Sequence, residues 1–339
     1  MHHRRTLFTL AAASTLAGAA AHGGATLAAD DTSDGSDQQQ SDGLGAALRR
    51  YLALPGTKSY LIHVGEGGSH LRIAHRPNLF LFTASAYKTF VLGQYLRDAE
   101  AGLLSKDEQL AIDDSVRMLG SPVFINLAGT TTARSVLEAM ITHSDNTATD
   151  LATGKVGADR VRALIAEASL QSIRIPDSTR RFFSYFLGAP MGVDLGWPGV
   201  VEAASNPPGP LRPALNEVIT LAGTARDFVS WYEQALQGRF FTRPETLTEF
   251  KRIQAMSVQI PETVPPDTPA YAKGGEFPSS DVNAKSFAGQ MVVGRAPVTF
   301  GFIVNWDGPV SDFPAVEAEF FAAIKGILGV VKQALAARN

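Results

Sequence analysis

The chain has 339 residues, of which 45% are hydrophobic and 19% are charged, and it contains no cysteine. This is the composition of a folded globular protein, and it excludes an intrinsically disordered chain, a collagen and a disulfide scaffold. With 30 lysines and arginines against 33 aspartates and glutamates, the formal charge is -3, so the basic excess typical of nucleic-acid-binding proteins is missing and we expect no nucleic-acid partner.

The N-terminus has the layout of an export signal. Arg4 and Arg5 precede an apolar run of small residues over 7–21, and alanine-rich candidate cleavage sites follow just before residue 30. The run is shorter than the roughly 20 residues that span a bilayer, so we interpret residues 1–29 as a cleavable signal peptide and expect no stable membrane span after its removal. The arginine pair indicates the twin-arginine route, with the general secretory route as the alternative. The predicted location is the periplasm or the exterior.

The next segments in the chain are a polar leader, a hairpin and a helix. Residues 30–43 carry no apolar side chain to offset the entropy lost on ordering, so we predict a disordered leader over 30–44. Apolar residues at 60–64 and 71–73, around a Gly-rich turn, predict two antiparallel strands. Residues 84–103 then have the apolar spacing of a helix, with Thr83 as a candidate N-cap.

The middle of the chain is predicted to be mostly helical, and the end returns to strands. Four helical patterns cover residues 135–151, 158–168, 224–236 and 244–253. Residues 180–215 are rich in Pro, Gly and aromatic residues and predict a long structured loop. Three strand patterns and a final amphipathic helix cover residues 271–273, 286–293, 298–306 and 312–337.

This order of elements predicts a mixed α/β protein of the α+β type. The folded domain covers residues 45–339. Its antiparallel five-stranded sheet is built from residues 45–82 and 265–339 and is flanked by N- and C-terminal helices. A helical subdomain is inserted over residues 83–264.

Three short motifs could carry chemistry. Ser85 and Lys88 lie three residues apart at a helix start, so both side chains project from one face, and a lysine with a lowered pKa can deprotonate a serine. Ser144 to Asn146 lie between two helical patterns, where such residues are commonly caps or turns. Lys273 is followed by two glycines that let a substrate approach the backbone closely. Taken singly, each motif is equally well explained by a structural role.

In the order Ser-x-x-Lys, Ser-Asp-Asn, Lys-x-Gly, the motifs together resemble those of the serine β-lactamase and penicillin-binding protein superfamily, and most of all class A β-lactamases. The resemblance covers residues 45–339. It implies an exported serine hydrolase that opens β-lactams, or a related amide or ester, through an acyl-enzyme. It also implies a small-molecule substrate, no cofactor and a monomer. The histidines lack metal-ligand spacing, so we expect no metal.

By that resemblance, Ser85 is the acylated nucleophile, and Lys88 is its proton acceptor or an element of the proton network. Ser144 passes a proton to the leaving nitrogen. Lys273 would lie near Ser144 and the substrate carboxylate, and the backbone N–H groups of Ser85 and Glu276 would form the oxyanion hole. The residues expected to bind substrate or water are Asn146, Gly275, Glu276, Asn216 and Arg212.

The first departure from the family pattern concerns the loop glutamate that activates water in class A enzymes, in the pattern Glu-Pro-x-Leu-Asn. The corresponding stretch here begins with Arg212 and ends with Asn216. An arginine stays protonated and cannot take a proton from water, which predicts inefficient deacylation; Glu202 and Glu217 are the candidate replacements. Two alternatives therefore stay open: an esterase or D-alanyl peptidase on the same scaffold, and a β-lactam-binding sensor that remains acylated.

The second departure lies next to Lys273. The family usually has Thr or Ser after this lysine, so Gly274 removes one donor to a substrate carboxylate. Glu276 adds negative charge that disfavours anionic substrates, such as penicillins and cephalosporins, unless it is paired or turns outward. The candidate compensating cations are Arg212, Lys285 and Arg295.

Overall fold

The strands of the protein come mainly from the two ends of the chain. The structure, a computed structural model, describes residues 35–65, 71–280 and 282–337. The predicted signal peptide, and the first part of the predicted leader, lie outside these residues. The strands are β1 (Thr57–Val64), β2 (Arg72–His75), β3 (Leu81–Phe82), β4 (Gln109–Ile112), β5 (Gly129–Thr132), β6 (Ala222–Gly223), β7 (Ala270–Phe277), β8 (Asn283–Val293) and β9 (Ala296–Trp306).

Five of these strands form one antiparallel sheet in the order β2-β1-β9-β8-β7. Strands from opposite ends of the chain pair directly, because Thr57 of β1 faces Asn305 of β9 and Val64 faces Val298. The two-stranded sheets β3-β6 and β4-β5 lie outside it. The predicted mixed α/β fold with a five-stranded antiparallel sheet is confirmed.

The helices are α1 (Gly35–Leu52), α2 (Lys88–Glu100), α3 (Ala133–Thr142), α4 (Asn146–Val156), α5 (Ala158–Glu167), α6 (Thr179–Phe186), α7 (Gly196–Ser205), α8 (Ala225–Leu236), α9 (Pro244–Gln254), α10 (Ile260–Thr263) and α11 (Phe313–Ala336). Helices α1 and α11 pack against each other and against the sheet around Tyr51 and Phe302. The block α2 to α9 has its own core around Phe90 and Trp231. Among the described residues, no helix is both long and apolar enough to cross a membrane.

The predicted loop over 180–215 contains two helices instead. The Ser178 side chain accepts a hydrogen bond from the Arg181 N–H at 3.0 Å and so caps the start of α6. Phe182 and Phe186, four residues apart, then bury one face of that helix. The loop was predicted because Pro and Gly residues follow α6 in the sequence, and the amphipathic pattern of α6 itself is short.

Two helix boundaries also differ from the prediction. Helix α1 begins at Gly35, inside the predicted leader, and its half-buried Leu44 and Leu48 pack against the core under α11. The pattern predicted as one helix over 135–151 is two helices, α3 and α4. Ser144 separates them with a φ of 58°, a left-handed conformation that a continuous helix cannot contain.

Candidate active site

The hydroxyl of the first motif lies on a tight turn. Residues Ala84–Tyr87 form a 3₁₀ turn that runs straight into α2, so Ser85 and Lys88, three residues apart, face the same side. The Thr83 hydroxyl does not cap this helix as predicted but donates to the Leu221 carbonyl at 3.2 Å. This bond ties the turn to the segment leading into β6. Ser85 itself is half-buried and lies just before the N-terminus of α2.

Lys88 connects the first motif to the second. Its fully buried Nζ donates to the Ser144 carbonyl at 2.5 Å, the Ser144 Oγ at 3.2 Å and the Asn146 Oδ1 at 2.8 Å. The Asn146 Nδ2 donates in turn to the Leu119 carbonyl at 2.8 Å, so both ends of that amide are engaged. The Ser-x-x-Lys and Ser-Asp-Asn motifs are therefore one hydrogen-bonded unit.

Asp145 holds the Ser144 loop in shape. One carboxylate oxygen accepts the Ala148 N–H at 2.8 Å and caps α4, while the other accepts the N–H groups of Val123 at 3.0 Å and Phe124 at 2.9 Å. A carboxylate with these three backbone donors fixes the loop on both sides. Ser144 can therefore keep its left-handed conformation while its hydroxyl points at the lysines.

Strand β7 brings the third motif to the same hydroxyl. The Lys273 Nζ donates to the Ser144 Oγ at 3.0 Å and to the Gly274 carbonyl at 2.6 Å. The Ser144 hydroxyl thus lies between two lysine amines. Burial lowers the pKa of Lys273 well below its usual value, and the neighbouring positive charge of Lys88 lowers it further.

Burial also lowers the pKa of Lys88, to about 7. The negative charges of Asp145, Asp150 and Glu276 oppose this shift but are smaller in effect. An amine with a pKa near 7 is present in both its neutral and its charged form at neutral pH. Lys88 can therefore accept a proton there, which an exposed lysine rarely can.

Gly275 allows β7 to touch the nucleophile turn. A Cβ atom on this residue would lie 2.2 Å from the Thr83 carbonyl oxygen and 2.7 Å from the Ser85 nitrogen. No side chain fits in that space, so the strand edge reaches the turn only because residue 275 is a glycine. This contact brings β7 against the backbone of Thr83 and Ser85. Glu276, whose N–H is the predicted second donor of an oxyanion hole, follows Gly275 on this strand.

Glu276 is paired across the sheet. Its carboxylate lies 2.9 Å from the Nζ of Lys285, its cross-strand partner on β8, and Lys285 also contacts Glu317 of α11. Of the three candidate cations, Lys285 is the one that contacts Glu276 within the described chain. Arg295 lies in the turn between β8 and β9.

Arg212 is held by the end of α6 and the residues that follow it. Its Nη1 donates to the carbonyls of Tyr185 and Ala189, both at 2.5 Å, and its guanidinium lies 4.2 Å from the centre of the Tyr185 ring. The Arg212 N–H also donates to the Phe186 carbonyl at 2.9 Å. These partners are the carbonyls at and after the end of α6, where the helix dipole favours a cation. Arg212 therefore stabilises the C-terminal end of α6.

Asn216 is likewise occupied by its own loop. Its Nδ2 donates to the carbonyls of Pro213 and Ile219, and its Oδ1 accepts the N–H groups of Val218 and Ile219, all at 2.8 Å. Asn216 and the exposed Glu217 line a cavity of about 710 Å³ whose lining includes neither Ser85 nor the two site lysines.

Two further points concern Glu202, the other candidate base, and the side chains that could bind a metal. Glu202 on α7 accepts a hydrogen bond from Asn206 at 2.7 Å. In the described part of the chain, no three His, Cys, Asp or Glu side chains are grouped so that they could hold a metal ion. The polar groups gathered at Ser144 are therefore amines, amides and hydroxyls.

Asp150 is a buried acid at the site that the sequence analysis did not single out. It accepts the N–H groups of Thr179 at 2.6 Å and Arg180 at 2.9 Å, which holds the start of α6 against α4. Burial raises its pKa to about 6. The available signal was its position four residues after Asn146 on α4, which places both polar side chains on one helix face.

Comparison with known protein families gives a match over most of the chain. The chain matches the Beta-lactamase enzyme family over residues 46–285. No curated protein sequence matches it.

Solved structures share the fold at low sequence identity. A β-lactamase from Sphaerobacter thermophilus has a TM-score of 0.66 and 19% identity, over 87% of this chain and 98% of its own. A class A β-lactamase from Mycobacterium abscessus has a TM-score of 0.63 and 14% identity, over 88% and 99%. A mutant of PBP-A, solved as an acyl-enzyme complex with penicillin G, has a TM-score of 0.63 and 15% identity, over 88% and 97%.

Proposed function

The chain belongs to the β-lactamase enzyme family, and from that premise we propose that it is an exported serine hydrolase that forms an acyl-enzyme at Ser85 with a β-lactam or a related amide or ester. The observation that carries the proposal is the hydrogen-bonded group of Lys88, Ser144 and Lys273 beside the Ser85 turn. The family supports hydrolysis of a small molecule. Export to the periplasm or the exterior rests on the sequence of residues 1–29.

In the proposed acylation, the Ser85 Oγ attacks the substrate carbonyl carbon and its proton passes to the neutral Nζ of Lys88. A pKa of about 7 leaves a large neutral fraction of Lys88 at neutral pH, which suits a general base. The oxyanion that forms is stabilised by the N–H groups of Ser85 and Glu276. Their proximity depends on the close contact of Gly275 with the turn.

Breakdown of the tetrahedral intermediate requires a proton for the leaving group. The Ser144 hydroxyl gives its proton to the leaving nitrogen or oxygen as the bond to the carbonyl carbon breaks. A flanking lysine returns a proton to Ser144, because its Oγ lies 3.2 Å from Lys88 and 3.0 Å from Lys273. The product of these steps is an ester between Ser85 and the acyl group.

A second candidate, a protein that stays acylated and so binds or senses its ligand, is favoured by one observation. Both carboxylate oxygens of Asp145 and of Asp150, the acids whose charges act on Lys88 together with Glu276, accept backbone N–H groups. By the resemblance of the 212–216 pattern, Arg212 replaces the family's base, and its side chain donates to carbonyls of the α6 region. Acylation is therefore better supported than turnover.

The deciding experiment is a time course of intact mass after a penicillin or a chromogenic cephalosporin is added to the purified mature protein. The matched variants are Ser85→Ala and, as a control, Ser311→Ala, which removes an exposed hydroxyl before α11. We expect an adduct in the wild type and in Ser311→Ala and none in Ser85→Ala. An adduct that decays with release of product identifies a β-lactamase, and a persistent one identifies the acylation-only protein. If neither drug gives an adduct or Ser85-dependent release of product, β-lactams are excluded and ester or D-alanyl peptide turnover is tested next.

A further inference from the structure

Lys285 is the cation nearest in sequence to the Lys-Gly-Gly motif of β7, and its positive charge is already paired. The Lys285 Nζ is fully buried, lies 2.9 Å from the Glu276 carboxylate and also contacts Glu317. It lies 4.5 Å from the centre of the Phe321 ring, which closes off its remaining side. With all three groups ionised, two carboxylates against one ammonium leave an excess of one negative charge.

The two carboxylates of this group are not equivalent. Lys285 holds the pKa of Glu276 below its usual range, so Glu276 is ionised at neutral pH. Burial, together with the negative charge of Glu276, raises the pKa of Glu317. The Glu276 side chain is 53% exposed, whereas Lys285 is 0% exposed. The exposed charge of this group is thus the Glu276 carboxylate and not the Lys285 ammonium.

Residue 274 cannot replace the missing donor. A Cβ atom on Gly274 would lie 1.5 Å from the Gln259 Oε1, so the amide of Gln259 fills the space beside this residue. Within the described residues, that oxygen is buried and has no hydrogen-bond partner. An unpartnered acceptor oxygen adds negative potential and offers nothing to an anion.

The two lysines at Ser144 do not restore a positive field either. Lys88 and Lys273 direct their amines at Ser144, Asn146 and Gly274. Burial favours the neutral form of both amines. A substrate anion beside β7 would therefore meet acceptor atoms and partly neutral amines.

We infer that the Ser85 site takes neutral or cationic esters and amides in preference to anionic ones, and that Glu276 and Glu317 are the residues that set this preference. The inference rests on the acyl transfer proposed above. The Glu276 carboxylate belongs to the residue whose N–H faces the oxyanion, so it acts within about one Debye length, roughly 8 Å, of the reacting carbonyl. Substrate charge is therefore felt at the step that forms the acyl-enzyme.

The test uses compounds that differ only in charge. One pair is penicillin G and its methyl ester. A second set consists of phenylacetyl esters of 3-hydroxybenzoate, 3-hydroxybenzamide and 3-hydroxyphenyltrimethylammonium. Acylation rate constants are measured by intact mass and by release of the phenol. We expect the methyl ester to acylate Ser85 faster than penicillin G, and the order of the phenylacetyl esters to be cation, then neutral, then anion, with roughly tenfold between the extremes.

The variants Glu276→Gln and Glu317→Gln each remove one negative charge and keep the size of the side chain. Each is expected to lower the cation-to-anion ratio by about fivefold, the effect of one unit charge near the surface. The matched control is Glu319→Gln, also on α11, whose carboxylate pairs with the exposed Arg50 and should leave the ratio unchanged. Added NaCl should reduce the wild-type ratio, which tests the charge effect without any substitution.

The charge preference and the acyl transfer on which it rests are overturned by different results. If Ser85 is acylated but the anion reacts as fast as the cation, or neither glutamate variant alters the ratio, the charge preference is overturned while acyl transfer stands. If none of the five compounds gives a Ser85-dependent adduct or Ser85-dependent release of phenol, the acyl transfer itself is overturned.

Discussion

Two regions that the family resemblance assigns to one site are built in opposite ways. At the Ser144 hydroxyl, Lys88 and Lys273 come from distant parts of the chain and donate to the same side-chain oxygen. In the loop over 212–216, Arg212 instead donates to backbone carbonyls in and just after α6, and Asn216 donates to backbone carbonyls three residues away on either side. Both regions are rich in polar side chains, but only the first links side chains that can exchange protons.

The difference separates two uses of a polar side chain. A group that satisfies backbone carbonyls stabilises a loop, and its donors are no longer free for a substrate. Two buried amines that donate to one hydroxyl contribute little to the stability of the fold, because burying two like charges is costly. Their arrangement therefore points to a role in catalysis. Changes in the first region should therefore affect rate, and changes in the second should affect stability.

The largest effect is expected for Lys88→Met. Loss of a general base typically slows a reaction by roughly 10²–10⁴-fold, and the acylation rate constant should fall by that factor. The measurement is the rate of adduct formation by intact mass, with thermal unfolding to check that the variant is folded. Lys325→Met is the matched control, since Lys325 lies on the surface of α11 and makes an exposed hydrogen bond to the Pro261 carbonyl of α10. A loss below about tenfold would assign the base to another group.

Gly275→Ala should slow acylation by roughly 10²–10³-fold, the usual effect of losing an oxyanion donor. The added methyl group would lie 2.2 Å from the Thr83 oxygen and 2.7 Å from the Ser85 nitrogen, so β7 must move away from the turn. Gly329→Ala on α11 is the control, because a Cβ there meets nothing within 4 Å. Equal rates in Gly275→Ala and the wild type would show that the strand contact does not form the oxyanion hole.

The pH dependence should follow the lowered pKa of Lys88. The reactive form is the neutral amine, which is lost as the pH falls below about 7. The acylation rate constant should therefore drop about tenfold per pH unit below 7 and level off above it. Rates between pH 5 and 9 measure this, and Lys88→Met should lack the step. A flat wild-type profile would mean that Lys88 does not take the Ser85 proton.

The sequence identified the motifs of the first region, although it predicted one helix across Ser144 where the structure has two. The three motifs are short and could be located by local rules: a helix start for Ser85 and Lys88, cap or turn residues at 144–146, and a strand with glycines after Lys273. The sheet was predictable too, because alternating apolar residues mark its strands at both ends of the chain. The hydrogen bonds that join the motifs then follow from packing these elements together.

The second region was not predictable from its motif. The pattern at 212–216 resembles the family's loop, yet helices α6 and α7 precede it, and the end of α6 provides the carbonyls that Arg212 binds. Similarly, the pairing of Glu276 with Lys285 depends on strand register, and the contact with Glu317 depends on where α11 packs. Such contacts join residues far apart in the chain, and no local pattern specifies them.

Arg212→Ala should lower the free energy of unfolding by roughly 1–3 kcal/mol, because two partly buried carbonyls lose a charged donor and the contact with the Tyr185 ring is lost. The acylation rate constant should change by less than about threefold. Urea unfolding and intact mass measure the two quantities on the same sample. Arg181→Ala, which breaks an exposed pair with Asp177, is the control and should have at most a small effect on stability.

The smallest effect is expected for Asn216. Asn216→Ala removes four hydrogen bonds in one turn and should lower the free energy of unfolding by about 1 kcal/mol. Asn216→Asp keeps the acceptor for Val218 and Ile219 and should lie between Ala and the wild type. Neither variant should alter the decay of the acyl-enzyme. If Asn216→Ala instead slows that decay while unfolding is unchanged, Asn216 positions the deacylating water, and the two regions form one site after all.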